Sequence, residues 1–214
     1  MLRRKRKIAE QACGKKKGKI LDIGSGTGHF LAEMKRSGWE TSGIEINEKA
    51  RQYSSSVHGL NIIDPGQIQF IPTSSCDCIT LWHTLEHFRY PFRYAEEIHR
   101  ILKPEGTCII ALPNCSSHDA GHYRKFWAAW DVPRHLWHFS PATLGFFADK
   151  AGFMVKAFKS LPLDVFYISI ISEKYRGTIP YFIWGLVRGF WFYLRSLMDR
   201  KGSSSLIYFI QKKS

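Results

Sequence analysis

Seven residues, Asp22-Ile23-Gly24-Ser25-Gly26-Thr27-Gly28, set three glycines alternately among small and hydroxyl residues behind one acid. Glycine turns the backbone through φ > 0 and lets a ligand approach the main chain closely. Glu45 stands 23 residues beyond Asp22. An acid at that spacing, at the end of a following strand, can accept hydrogen bonds from both hydroxyls of a ribose. The pair points to an adenosine-containing ligand. A dinucleotide fingerprint would require glycine at position 29, where this chain has His29, and no G-K-[ST] phosphate loop is present. A second cluster, His83-x-x-Glu86-His87, and a third histidine, His135, are candidates for moving a proton.

These residues need strands and helices to bring them together. Residues 20–23 are apolar around Asp22 and break into glycines, the pattern of a buried strand entering a tight turn. A helix from His29 follows, with Phe30, Leu31 and Met34 on one face and Gly38 as its C-cap. Residues 39–46, 60–63, 76–82 and 107–112 read as further strands. Helices are expected from Asn47, from Pro91 with Phe92, Ala95, Ile98 and Leu102 on the apolar face, and from Ser140-Pro141 with Leu144, Phe147 and Ala151 buried. Asp64-Pro65-Gly66 and Lys103-Pro104-Glu105-Gly106 are turn signals. Alternating strands and helices imply a parallel sheet with right-handed crossovers. The glycine turn, Glu45, residues 82–87 and Pro113-Asn114 then fall at its carboxyl edge, where such sheets bind ligands.

The order I-L-D-I-G-S-G-T-G, I-E-I-N, C-D-C-I-T-L-W-H-T-L-E-H, L-K-P-E-G-T and D-V-P-R-H-L-W-H-F-S, over residues 20–160, resembles the class I S-adenosylmethionine (SAM)-dependent methyltransferases. It is most similar to the branch that includes the ubiquinone-pathway O-methyltransferases. The resemblance implies an α/β, Rossmann-like, doubly wound and mostly parallel seven-stranded sheet of order 3-2-1-4-5-7-6. Residues 153–160 and 206–211 would be strands six and seven. It implies SAM as cofactor, with Asp22 helping to receive its ammonium. The cofactor-binding set is then Asp22, Gly24, Ser25, Gly26, Thr27, Gly28, Glu45, Ile46, Trp82 and His83, with Asp64 a weaker candidate near the adenine. His83 and His135 are the catalytic candidates. Some quinone O-methyltransferases carry E-x-x-E-H where this chain has His83-x-x-Glu86-His87. The first acid is replaced, so no metal is expected, and Glu86 and His87 are assigned to local loop contacts.

The 214 residues fit one domain, 20–214, behind a basic segment, 1–19. Apolar content of 44% and charged content of 23% are those of a globular chain, and the formal charge is +13. Nine of the Lys and Arg residues lie in 1–19, against Glu10 alone. That segment could attract nucleic acid or an anionic membrane; the plainer expectation is a solvated, frayed terminus with an exposed helix. The family's usual helices before the first strand are not evident there. No apolar run follows the basic start, so no secretory signal is expected. Cys13, Cys76, Cys78, Cys108 and Cys115 contain no C-x-x-C pair, and free thiols in a cytoplasmic protein fit best. Cys76 and Cys78 would share one strand face.

Two segments stand outside the regular alternation. Residues 114–141 form a long, aromatic and histidine-rich lid loop. Residues 163–205 are an aromatic insertion between strands six and seven, holding Gly185-x-x-x-Gly189 and an apolar run broken by Arg188. The insertion suits a hairpin touching anionic lipid, a cap over a lipid-like substrate, or helices packed on the domain or on a dimer partner. The expected activity is methyl transfer to a small or lipid-like acceptor at oxygen, with possible peripheral membrane contact through 163–205. One alternative is a non-catalytic SAM-fold protein that binds a membrane or partner through that insertion. The other is an RNA methyltransferase, suggested by the charge; nucleic acid is not the expected partner, because Leu112-Pro113-Asn114-Cys115 lacks the N/D-P-P-Y/F motif.

Overall fold

A computed structural model describes residues 1–213. The sheet is seven-stranded, in the order β3-β2-β1-β4-β5-β7-β6. The strands are β1 (Lys19–Ile23), β2 (Glu40–Ile44), β3 (Asn61–Ile63), β4 (Cys76–Trp82), β5 (Leu102–Pro113), β6 (Phe153–Ser160) and β7 (Ser205–Lys212). β7 runs antiparallel to both β5 and β6, and the other pairings are parallel. This is the order the sequence resemblance implies.

Successive residues of a strand point to opposite faces, and both faces of β1 and β4 are covered. Leu21, Ile23, Ile79 and Leu81 enter one core layer, while Ile20, Cys78 and Trp82 enter the other with Phe30 and Leu31. Cys76 does not share a face with Cys78. Pairing slips between them, from Cys76↔Leu102 to Cys78↔Thr107, and the two thiols fall in different layers. The expected turn 103–106 is this irregularity: the residues bulge out of register but stay within β5.

The crossover helices are α2 (His29–Arg36), α3 (Glu48–His58), α4 (Pro91–Ile101) and α6 (Pro141–Lys150). Asn47 caps α3 through the Ala50 N–H, and Ser140 caps α6 through the Thr143 N–H. Phe92, expected on the buried face of α4, is 44% exposed. Ala95, Ile98 and Ile101 make that face instead, and Leu102 already belongs to β5.

The basic terminus is not a solvated tail. α1 (Leu2–Ala12) lies against α2, with Ile8 and Ala9 buried among Phe30, Met34 and Trp82. Its polar face pairs Arg6 with Glu10 and Glu33. The apolar stripe is narrow, and the lysines and arginines around it hide it from a composition-based reading.

The lid loop folds around α5 (His118–Tyr123), whose buried Asp119 accepts the Trp127 indole N–H at 2.7 Å. Asp131 and Arg134 pair at 3.7 Å. The insertion is a helical hairpin, α7 (Asp164–Arg176) and α8 (Tyr181–Met198). Gly185-x-x-x-Gly189 is its contact line: a Cβ on Gly185 would run into the Ile170 backbone, and one on Gly189 would reach the Phe166 Cα at 3.1 Å. Gly185→Val should therefore cost about 1–3 kcal/mol or more through overpacking. Gly145→Ala, in α6 with no atom near the new methyl, should be neutral or stabilise by up to about 1 kcal/mol. Thermal or urea denaturation of both variants checks the contrast.

Candidate active site

β1 ends where the glycine turn begins. Gly24, Gly26 and Gly28 have φ of 77°, 54° and 76°, values that any other residue adopts only with strain. The Gly24 and Ser25 N–H groups donate to the Ile44 carbonyl at 2.8 and 3.1 Å, tying the turn to β2. Around Gly24 and Gly28 the space for a side chain is filled, by Thr84 and by Leu60 with Ser54. Around Gly26 it is open, so here a ligand can reach the backbone. Glu45 folds back to this point and accepts the Gly26 N–H at 2.8 Å and the Asn47 N–H at 2.9 Å. Ser25 Oγ is buried without a partner. An open glycine backbone, an acid at the β2 end and a free hydroxyl fit the adenosine part of SAM. Ile46 beside them is 79% exposed and Thr27 is exposed. Asp64 is occupied: it caps the 3-10 turn Pro65–Phe70 and pairs with Arg51 at 3.2 Å.

Asp22 lies beneath the turn and is buried. β1–β4 pairing sets it opposite Thr80, whose hydroxyl donates to it at 2.5 Å. Burial pushes its carboxyl up to about 7, against the pull of Thr80 and of Lys5.

Beyond the β4 end is a cavity of about 590 Å³. Trp82, His83 and Pro113 form its floor, α1 and α7 its walls, and His135 with Arg134 its lid side. Its lining excludes the glycine turn and Glu45, so the turn and the cavity are separate compartments, with Trp82 and His83 at the cavity's floor. Lys5 of α1 lines the cavity with its ammonium 4.4 Å from the Trp82 ring centre. Burial lowers its pKa, while Asp22 and Asp164 act to raise it.

His83 and His87 do not stand one helical turn apart on a common face. His83 has φ +56°, and only Leu85–His87 form a 3-10 turn. His83 consequently points at the insertion, with Nε2 3.5 Å from Asp164 and Nδ1 3.6 Å from Glu86. Burial alone would lower its pKa, but the two carboxylates outweigh that and raise it to about 9. His87 instead faces the lid. Its Nδ1 is 2.9 Å from the Arg134 carbonyl, and Nδ1 of His135 is 2.8 Å from the Ala129 carbonyl. A carbonyl only accepts, so both Nδ1 atoms carry protons, and in the neutral ring Nε2 is then the acceptor. Glu86 is buried beside them with neither carboxylate oxygen hydrogen-bonded. One donor atom each from Glu86, His87 and His135 lies within 4.8 Å of the others. This set could hold a divalent transition metal. Of the loop contacts expected from the sequence, His87 makes its own, to Arg134, whereas the Glu86 carboxylate makes none.

The sequence places the glycine turn, Glu45, Trp82 and His83 at one sheet edge and His135 in the lid loop, and the structure brings Trp82, His83 and His135 to one cavity. Sequence reading missed Lys5 and Asp164. Lys5 is three residues before Ile8 on the α1 stripe, a spacing that was legible in principle. Asp164 opens the insertion helix, and no local pattern marks it.

A methyltransferase domain family model matches residues 2–157. The chain belongs to the methyltransferase domain family. Two curated relatives, the ubiquinone biosynthesis O-methyltransferases of Psychrobacter cryohalolentis and Psychrobacter arcticus, are each 28% identical over 117 residues. Those matches cover 50% of this chain and 45% of each relative, so the chain aligns with a little under half the length of the curated relatives. Among solved structures, a SAM-dependent methyltransferase from Archaeoglobus fulgidus shares the fold at TM-score 0.63 and 20% identity, covering 100% of this chain and 95% of that one. The Burkholderia thailandensis 1,6-didemethyltoxoflavin-N1-methyltransferase, solved with S-adenosylhomocysteine, does so at TM-score 0.64 and 14% identity, over 100% and 78%. The fold is that of SAM-dependent methyltransferases.

The buried Asp22 gives this family member a measurable pH signature. Its carboxyl ionises at an ordinary value of 3.8 when unfolded and at about 7 when folded. The stability that protonated Asp22 lends is complete below about 3.8 and is lost as pH rises to about 7. Asp22→Asn should remove that slope, so its melting temperature should gain on the natural protein between pH 4 and 7 and run parallel above. A constant gap across that range would show that Asp22 is not shifted.

Proposed function

We propose that this protein transfers the methyl group of SAM to a small or lipid-like acceptor, at oxygen, with the 163–205 hairpin meeting a membrane. The observation that carries the reading is the pairing of two compartments. One is a turn open at Gly26 and flanked by Glu45; the other is a largely apolar cavity reached past Trp82 and His83. Bound SAM supplies a methyl group on a positively charged sulfur. The protein's task is to hold the two reactants at attack distance and to accept a proton.

Glu45 is positioned to exchange its Gly26 and Asn47 contacts for the ribose hydroxyls. Asp22, ionised above about pH 7, is the acceptor for the ammonium of the methionine part. Lys5, a half-buried cation with no carboxylate in hydrogen-bonding contact among the described residues, is the partner for its carboxylate. Of the two histidines, His135 is the base: its Nε2 is free to take the acceptor's proton. His83, held protonated between Asp164 and Glu86, places a positive charge at the cavity floor beside the acceptor.

Calorimetry with SAM and S-adenosylhomocysteine tests the reading, and failure to bind either overturns it. Glu45→Ala should weaken SAM by about 1–3 kcal/mol, through lost hydrogen bonds to a charged group. Lys5→Met should weaken SAM roughly tenfold or more, while leaving decarboxylated SAM unchanged. Equal losses for both ligands would remove Lys5 from the carboxylate.

A further inference from the structure

α8 is built inside out. Its buried stripe is Gly185, Gly189, Phe192 and Ser196, mostly small residues. Its large apolar side chains point away from the protein: Phe182, Ile183, Val187, Phe190, Trp191 and Leu197 are each 55–60% exposed. A helix resting on a water-soluble domain turns its apolar face to the core. Here the close approach to α7 requires glycine on the inner face, so the bulky residues are left outside. A contiguous apolar surface of this kind marks a site of interaction.

The charges around it are of one sign. α8 carries only Arg188, which is tied inward to Glu173, and Arg195, which is exposed. Exposed Arg200 and Lys201 follow it, and exposed Lys174 and Arg176 close α7 just before it. The insertion's acids do not balance them. Glu173 is buried and Asp164 faces His83, leaving only Asp199 turned outward. No described helix is long and apolar enough to cross a membrane. An apolar face bordered by cations, on a helix that cannot span, matches the interface of an anionic bilayer, where acyl chains receive the aromatic residues and phosphates receive the arginines.

We propose that α8 lies flat in the interface of an anionic phospholipid bilayer, with Phe190 and Trp191 at the centre of the buried face and Arg195, Arg200 and Lys201 at the headgroups. This deepens the reading of residues 163–205 as membrane-facing, and depends on the methyl-transfer reading only for what is delivered. α7 turns Tyr167 and Tyr175 to the cavity rim while Phe166 and Ile170 hold α8. A lipid-borne acceptor would therefore reach the cavity alongside the hairpin without leaving the membrane surface.

Co-sedimentation of the full chain with phosphatidylcholine vesicles, with and without phosphatidylglycerol, is the test. Binding is expected to the phosphatidylglycerol vesicles, weakening as salt is added. Phe190→Ser with Trp191→Ser should reduce partitioning roughly tenfold or more, from the lost burial of two aromatic side chains. Arg195→Glu with Lys201→Glu should abolish the preference for anionic vesicles. SAM calorimetry on the same samples reports whether each variant is folded. Three results would overturn the proposal: no binding to anionic vesicles, equal binding to both compositions, or unchanged binding of the Phe190/Trp191 variant. A dimer in light scattering that this variant dissolves, without vesicle binding, would assign the face to a second copy of the chain. Loss of SAM binding in the natural protein with vesicle binding intact would count against methyl transfer alone.

Discussion

A central strand of a parallel sheet, covered by helices on both faces, has nowhere to present polar chemistry except its ends. β1 and β4 are in that position, with Ile20, Leu21, Ile79 and Leu81 all fully buried. Everything polar in the candidate site therefore gathers at their carboxyl ends: the glycine turn after β1, His83 after β4, and Asp22 held by Thr80 one layer below. The sheet order puts β2 on one side and β5 on the other. Glu45 and Pro113 consequently border the same edge.

What surrounds that edge comes from three segments that are irregular by the standard of the alternating fold. α1 brings Lys5 from one side, the lid loop brings His135 from another, and α7 brings Asp164 to His83. Each is positioned by packing rather than by the sheet. α1 is seated by Ile8 and Ala9, the lid by Tyr123 and Trp127 in a core shared with Val165, Ile168 and Phe192, and α7 by its glycine-lined contact with α8. The site is thus coupled to the hairpin: the helix pair that presents an apolar outer face also supplies the carboxylate that sets the charge of His83.

The two histidine environments illustrate how local geometry divides roles between like residues. His83 sits between two carboxylates and stays protonated. His135 and His87 each donate Nδ1–H to a backbone carbonyl, and one ring nitrogen of each lies within 4.8 Å of the buried Glu86 carboxylate. Spacing in the chain, which puts His83 and His87 four residues apart, suggests one shared face. The positive φ at His83 separates them.

Local pattern in the sequence by itself determined the first five strands, the glycine turn and the acid at the end of β2, because apolar runs, turn residues and spacing are written in each stretch's own residues. The seven-strand order, with strands six and seven, came with the resemblance to the methyltransferase family. The sequence also carried Gly185 and Gly189, though whether they would pack within a span, a dimer or one hairpin was open. Only the tertiary structure decided that the basic terminus is a docked helix with Lys5 at Trp82, that Cys76 and Cys78 part company at a bulge, and that Asp164 reaches His83 across 81 positions of chain. Such contacts are made between segments whose own patterns are satisfied either way. The choice lies in the free energy of packing one against another, which no single stretch of chain records.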